Sequence, residues 1–318
     1  MAENKILNTK KAFKISLIAY AAVIAVGILF TILFGLKLDI NFSGGTRITY
    51  SYTGDVSEKD FESTVKGVIK NDFTVSKSKS FAGDTQTFTV TVVGKESVSA
   101  EKQAAVETAL TEKFTDNKFE VYDSNSVNPS VAGNFFAKSL VAVALTAIFV
   151  VIYVGIRFRK IGGVSAALTA LCALILDLLV SFFTCVIFRL QIDSNYMAVV
   201  LTLLGYSLND TIVIYDRVRE NKKYYPQLKI GENMDRSVSR VLTRNIITTT
   251  TTILAVLTII VVSEMFGLTS LRTFAIPMAF GMLSGCISSL FVAGPLWVCW
   301  REYREKFEPK KGKKAKKA

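Results

Sequence analysis

The chain has 318 residues, half of them apolar, with 38 bases against 26 acids, a formal net charge of +12, and no histidine. Without imidazole, carboxylates are the side chains left to move protons near neutral pH. The bases are unevenly placed, so the positive balance speaks for membrane topology ahead of nucleic-acid binding, and no specific nucleic acid is expected.

Five runs carry no charged residue, 15–36, 139–156, 194–209, 245–263 and 273–300, and a sixth, 161–188, is broken only by Asp177. All but 194–209 reach 18 residues, and together they predict six membrane-spanning helices. Lys5, Lys10, Lys11 and Lys14 precede the first run, which is too long for a signal-peptide core and has no small-residue cleavage site before Asp39, so it is read as a retained helix. Bases crowd the N-terminus, the turn with Arg157, Arg159 and Lys160, residues 216–244, and the tail from Arg301, where nine bases face three acids. Residues 37–123 instead hold 11 bases against 14 acids, a net of −3, which places both termini in the cytoplasm and this segment outside. The tail KKGKKAKKA is either a solvated end that reinforces topology or a contact for anionic lipid or ribosomal RNA.

The outer segment opens with LDINFSGGTRITYSY. Thr46, Ile48 and Tyr50 alternate with Arg47, Thr49 and Ser51 as in a half-buried strand, and Gly44 and Gly45 free the chain to turn into it. No Lys-Ser or Lys-Thr follows at P-loop spacing and no helix opens there, so a phosphate-binding loop is not predicted. Ser57 is placed as the cap of a helix with Asp60 three residues on. Alternating strands at 73–81 and 85–94 flank a hairpin at Gly83-Asp84; a second helix over 99–114 has Ala104, Ala105, Thr108 and Leu110 near helical spacing, and 119–124 is a last strand. Strand, helix, strand, strand, helix, strand is the split ferredoxin-like order. The segment has no His, no Cys and no telling pair of carboxylates, so no enzyme and no catalytic residue is predicted. The expected division is 1–36 for the N-terminus and first span, 37–134 for the outer domain, 135–300 for the other five spans and 301–318 for a basic tail.

Asn128-Pro129 and Gly133 mark the return to the membrane. Asp177, mid-run in the third span, is either a packing-site residue bonding a neighbouring helix or part of an ion path. The fourth span ends in GYSLNDTIVIYDRVREN, residues 205–221, where Asp210 sits about one and a half turns inside the charged end. A carboxylate in a spanning helix costs about 2.5–3.5 kcal/mol and needs a partner, water or a use. Tyr206, Ser207 and Asn209 lie within a turn of it and could bond it or order water, with Thr211 beside it. On the fifth span Arg236, Arg240, Arg244 and Thr248 recur every four residues on one face, either as a positive-inside anchor or with Arg244 as the partner of Asp210. Consecutive antiparallel helices would bring the two to similar depth. An arginine beside a carboxylate favours its charged form and separation lets it take a proton, which makes the pair a candidate proton relay. In the sixth span Gly281-x-x-x-Gly285 predicts close helix approach, and Pro277 a kink. Cys172, Cys185, Cys286 and Cys299 all lie in the runs, so buried apolar cysteines and no disulfide framework are expected.

Residues 205–221, including Gly205, Asp216, Arg217, Arg219, Glu220 and Asn221, resemble the signature of the smaller, SecF-type members of the SecD/SecF protein-export membrane proteins, within the resistance-nodulation-division superfamily. So do the motif from Phe42 through Gly44, Gly45 and Thr46, the re-entry at 129–133, Arg244 before a Thr-rich run, and GMLSGCISS with Gly281 and Gly285. The resemblance covers nearly the whole chain. It implies a helical membrane protein of six spans with one extracytoplasmic α+β domain after the first, in the bacterial plasma membrane. It also implies a SecD-like subunit, the Sec translocon channel and secreted preprotein as partners besides the lipid bilayer. No cofactor is implied; the drive is a proton gradient, with a sodium gradient as the open alternative. Asp210 and Arg244 are the implied coupling residues, with Asp177 and Thr248 in support. The family often has His before the third-span Asp; here Leu176 stands there. Two other readings are a half-size exporter of small molecules or lipids and a membrane scaffold without transport.

Overall fold

The computed structural model describes residues 8–79, 86–94 and 98–307. Helix α1, Thr9–Phe34, starts where Asn8 accepts the Lys11 N–H and stops at Gly35. A single turn, α2 (Ile40–Ser43), leads through Gly44 and Gly45 into strand β1, Gly45–Tyr52. Both glycines have positive φ, 79° and 136°. A Cβ on Gly44 would lie 2.7 Å from the Pro129 backbone and one on Gly45 2.1 Å from the Val92 carbonyl oxygen, so both conformation and space demand glycine here.

The outer domain continues with α3 (Glu58–Val68), β2 (Phe73–Lys79), β3 (Gln86–Val93), α4 (Ala100–Lys113) and β4 (Glu120–Val127). The strands form one antiparallel sheet in the order β2-β3-β1-β4. The predicted alternation on β1 holds: Ile48, Tyr50 and Tyr52 are buried, whereas Arg47, Thr49 and Ser51 are only half-buried. The inward face packs on the two helices around Phe61, Val65, Phe88 and Leu110, with the Phe61 and Phe88 rings stacked at 4.2 Å. Two details differ from expectation, and a third is not described. Ser57 occupies the cap position of α3 without a side-chain cap bond. The buried side of α4 is Val106 and Leu110, one turn apart, and Ala104, Ala105 and Thr108 face solvent, because the larger apolar side chains bury more surface. The Gly83-Asp84 hairpin lies outside the described residues.

Asn128 accepts the Ser130 N–H and Pro129 opens α5, Pro129–Arg157. A 3₁₀ turn at Arg159–Ile161 leads to α6 (Gly163–Ile187), followed by α7 (Ser194–Tyr224) and α8 (Ile230–Phe266). The last span is α9 (Thr269–Ser288), a π-helical turn Ser289–Ala293 and α10 (Gly294–Phe307). Pro277 sits inside α9, and the break in helical register comes 12 residues later, at the π turn. Six of these segments are long and apolar enough to cross a membrane. Helix α9 is the central one, packed against α6, α7 and α8, while α1, α5 and α8 turn most of their apolar surface outward. Of the four cysteines only Cys185 is fully buried; Cys286 is half-buried and Cys172 and Cys299 are exposed, which corrects the expectation of four buried thiols.

Removing the ring at the centre of the outer core, Phe61→Ala, is expected to destabilise that domain by about 3–5 kcal/mol. Protease sensitivity of the full chain in urea should rise within residues 45–127, with the membrane helices unchanged.

Candidate functional site

In a bilayer the hydrophobic effect does not hold helices to one another; close packing and hydrogen bonds do. The bundle uses both at one level. A Cβ on Gly281 would come within 2.4 Å of Leu203 Cδ1, and one on Gly285 within 3.1 Å of Ser207, so the glycine pair lets α9 lie directly on α7. One helical face away, α9 presents Ser284 and Ser288 to α6. Ser284 Oγ donates to Asp177 Oδ1 at 2.6 Å, and Ser288 Oγ and Ser207 Oγ donate to Oδ2 at 2.9 and 2.6 Å. Tyr20 OH of α1 bonds the Ser284 carbonyl at 2.9 Å and lies 3.0 Å from its hydroxyl. Asp177 is 1% exposed and has three donors from two neighbouring helices.

The same face of α7 continues as Ser207, Thr211 and Tyr215, spaced four apart. Thr211 Oγ1 meets Ser289 Oγ at 3.0 Å, and Tyr215 OH meets Thr169 Oγ1 at 2.8 Å and the Ala293 carbonyl at 3.2 Å. Ser289 and Ala293 are the ends of the π turn, whose loosened backbone thus gains side-chain partners from α7.

Asp210 points elsewhere. It is 4% exposed, yet its Oδ2 has no hydrogen-bond partner among the described residues. None of the three neighbours expected to bond it does so. Ser207 and Tyr206 lie three and four residues before Asp210, on its side of the helix, but Ser207 is committed to Asp177 and Tyr206 OH reaches Thr252 Oγ1 on α8 at 3.4 Å; Asn209, the adjacent residue, faces another way and is exposed. Arg244 is near enough for its charge to act on Asp210, but no ion pair joins them among the described residues, and its side chain is exposed. The every-fourth-residue face with Arg240 and Arg244 turns outward. Inward on α8 lie Asn233, Ser237, Asn245 and Thr249. Thr248 Oγ1 bonds the Arg244 carbonyl of its own helix.

Asn245 Nδ2 and Thr249 Oγ1, like Asp210 Oδ2, are buried without hydrogen-bond partners among the described residues. Sequence reasoning passed over Asn245 and Thr249 because they read as uncharged members of an apolar run; they fall four apart, on the face next to Arg244. It passed over Ser284 as the direct donor to Asp177 for the same reason.

The remaining signature residues form the charged end of the bundle. Asp216 pairs with Arg157 at 3.1 Å and Arg219 at 2.8 Å, and Arg217 with Glu220 at 2.6 Å. Asn221 Nδ2 donates to Ser237 Oγ at 2.9 Å, tying α7 to α8. Gly205 faces outward with nothing near it. Among the described residues no cluster of His, Cys, Asp or Glu could hold a metal ion.

Six membrane-length helices with two carboxylates buried in their midst define a multi-pass helical membrane protein with ionisable groups inside the bilayer. The profile described as protein export membrane protein SecD/SecF, C-terminal, matches residues 105–303. The protein translocase subunit SecF of Sebaldella termitidis is 33% identical over 89% of this chain and 87% of its own. The chain belongs to the SecD/SecF family of bacterial protein-export membrane proteins. The protein translocase subunit SecDF of Bacillus subtilis is 34% identical over 88% of this chain, which spans 36% of that longer protein. The crystal structure of SecDF, a translocon-associated membrane protein from Thermus thermophilus, superposes on 95% of the chain with a TM-score of 0.76 at 24% identity, and the chain covers 40% of it.

Removing the acceptor in Asp177→Ala strands three buried hydroxyls and is expected to cost about 2 kcal/mol. Ser288→Ala, which deletes one donor, is expected to cost about 0.6 kcal/mol. Thermal unfolding of the detergent-solubilised chain should rank the two in that order.

Proposed function

We propose that the chain is the SecF-type subunit of an accessory complex of the Sec translocon, using the proton-motive force to help secreted proteins complete their passage across the cytoplasmic membrane. The observation that carries this reading is Asp210 Oδ2, a carboxylate oxygen buried within a spanning helix and left without a donor among the described residues. Such an atom is costly, and a bundle that satisfies Asp177 with three hydroxyls has the means to satisfy a second acid. An acid left unsatisfied, beside an arginine that is not bonded to it, can exchange a proton as that distance changes. Each proton moved across 100 mV contributes about 2.3 kcal/mol. A proton gradient is therefore the proposed drive, with no bound cofactor.

A second protein completes the site. Arg244 turns outward with no acid bonded to it among the described residues, beside helices whose apolar flanks are uncovered. A SecD-like subunit against this side would supply the missing counter-charge, in keeping with relatives in which both parts form one SecDF chain. The translocon channel and the preprotein are the further partners proposed. The positions of the bases place both termini in the cytoplasm and residues 37–134 outside. The strand order β4-β1-β3-β2 with two helices on one face supports a ferredoxin-like outer domain.

Asp210→Asn is expected to lower gradient-stimulated export roughly a hundredfold, and Arg244→Lys to lower it by about tenfold or more. Both should copurify with the SecD-type subunit as the unsubstituted chain does. Assays in inverted membrane vesicles with an imposed pH difference decide the matter, and full stimulation in Asp210→Asn would return this carboxylate to a structural role.

A further inference from the structure

The outer domain meets the bundle at a joint built on another buried carboxylate, one to which the proton-coupling account gives no part. Asp39, in the short segment after α1, is wholly buried although it lies outside every apolar run. Its Oδ2 accepts from Asn41 Nδ2 at 2.7 Å. Its Oδ1 accepts from the Arg47 guanidinium on β1 and from Gln191 Nε2 at 3.2 Å. Gln191 belongs to the loop between α6 and α7, and the backbone joins the two segments as well. The Asp39 N–H donates to the Ile192 carbonyl at 3.0 Å and the Ile192 N–H to the Lys37 carbonyl at 2.8 Å, around a parallel bridge between Leu38 and Ile192.

The next residue, Asp193, caps α7 by accepting the Tyr196 N–H at 3.0 Å. From there α7 runs without a break through Asp210 to Tyr224. At 1.5 Å per residue Asp210 lies about 24 Å down this single rod. The outer sheet, the exit from α1 and the head of α7 therefore converge on one side chain. The opposite edge of the sheet is held more simply: Ser78 Oγ donates to the Gly267 carbonyl, in the turn between α8 and α9, at 2.5 Å. Between these two attachments lies an open cleft of about 840 Å³, roofed by Thr49, Thr89 and Thr91 and floored by Arg189, Gln191 and Arg272. A domain joined to the bundle on one side, through the Asp39–Arg47 pair and the neighbouring Gly44–Pro129 seam, and on the other side by one hydroxyl, with an open cleft between, has room to rock about the joined side.

We propose that Asp39 is a positioning residue that transmits the orientation of the outer domain to α7, through its bonds to Arg47 on one side and to Gln191 and the Ile192 backbone on the other. Asp39 is buried while the Arg47 side chain is 32% exposed, and a pair whose acid is held inside in one geometry suits a joint that must pass on direction. The inference rests on the reading of Asp210 as the proton-carrying group, and makes Asp39 the link between that proton and work done outside the membrane.

The test uses the full chain with its SecD-type partner and translocon in membrane vesicles, following proton influx with a pH-sensitive dye and export in parallel. Asp39→Asn and Arg47→Gln should keep influx within about twofold while gradient-stimulated export falls at least about fivefold. Amide exchange at Ile192 should quicken in both. Gln191→Leu, which leaves the ion pair in place, should show the same separation more weakly and carries the test if the other variants do not accumulate. Influx and export falling together in these variants, or export persisting while Ile192 exchanges faster, would overturn the proposal. Asp210→Asn serves as the reference in which both are lost; continued influx there would sink the reading of Asp210 by itself.

Discussion

Three serine hydroxyls converge on Asp177, and the arrangement of the bundle depends on that convergence. Helices in lipid have little apolar incentive to prefer one another, so an acceptor on α6 that draws donors from α7 and α9 sets both partner and depth. Gly281 and Gly285 make the same choice sterically, since only their missing side chains admit Leu203 and Ser207. Polar and steric requirements coincide within about two turns of α9. Whatever else moves, this is the place where the helices are best fixed against one another.

A fixed centre gives the neighbouring acid its meaning. Asp177 and Asp210 lie in adjacent helices and are nearly equally buried, but the first has both oxygens supplied with donors whereas Oδ2 of the second has none among the described residues. Ser207, three residues before Asp210, is held by the saturated group and turned away from the unsaturated one. The division of labour is thus built into a single turn of α7, where one face is locked and the next is left open toward α8.

Much of this was legible in the amino-acid order because membranes and sheets impose strong periods. Uncharged runs gave six spans, and the alternation through Ile48, Tyr50 and Tyr52 gave the buried side of β1. The unusual acid at 210 stood out against its run. What escaped were relations between faces. Every-fourth-residue spacing grouped Arg240, Arg244 and Thr248 correctly but could not say that the group turns outward, since inside and outside of a spanning helix are both apolar. Asn245 and Thr249 were hidden for the same reason, and so was the role of Asp177, because its donors come from residues 30, 107 and 111 positions away. Asp39 escaped because a lone acid at the end of a span reads as a solvated one, and only its contacts with Arg47 and Gln191 reveal its burial.

The meeting of Gly44 with Pro129 bears on how such a molecule can vary. The outer module leaves and rejoins the membrane part at touching residues, so its length never enters the geometry of the helices below. A smaller or larger module, or one of different sequence on the same plan, could be inserted at this seam without moving a span. Only the few side chains at the seam must keep their chemistry. Variation is free above it and constrained at it, where Gly44 and Gly45 meet backbone too closely for any side chain.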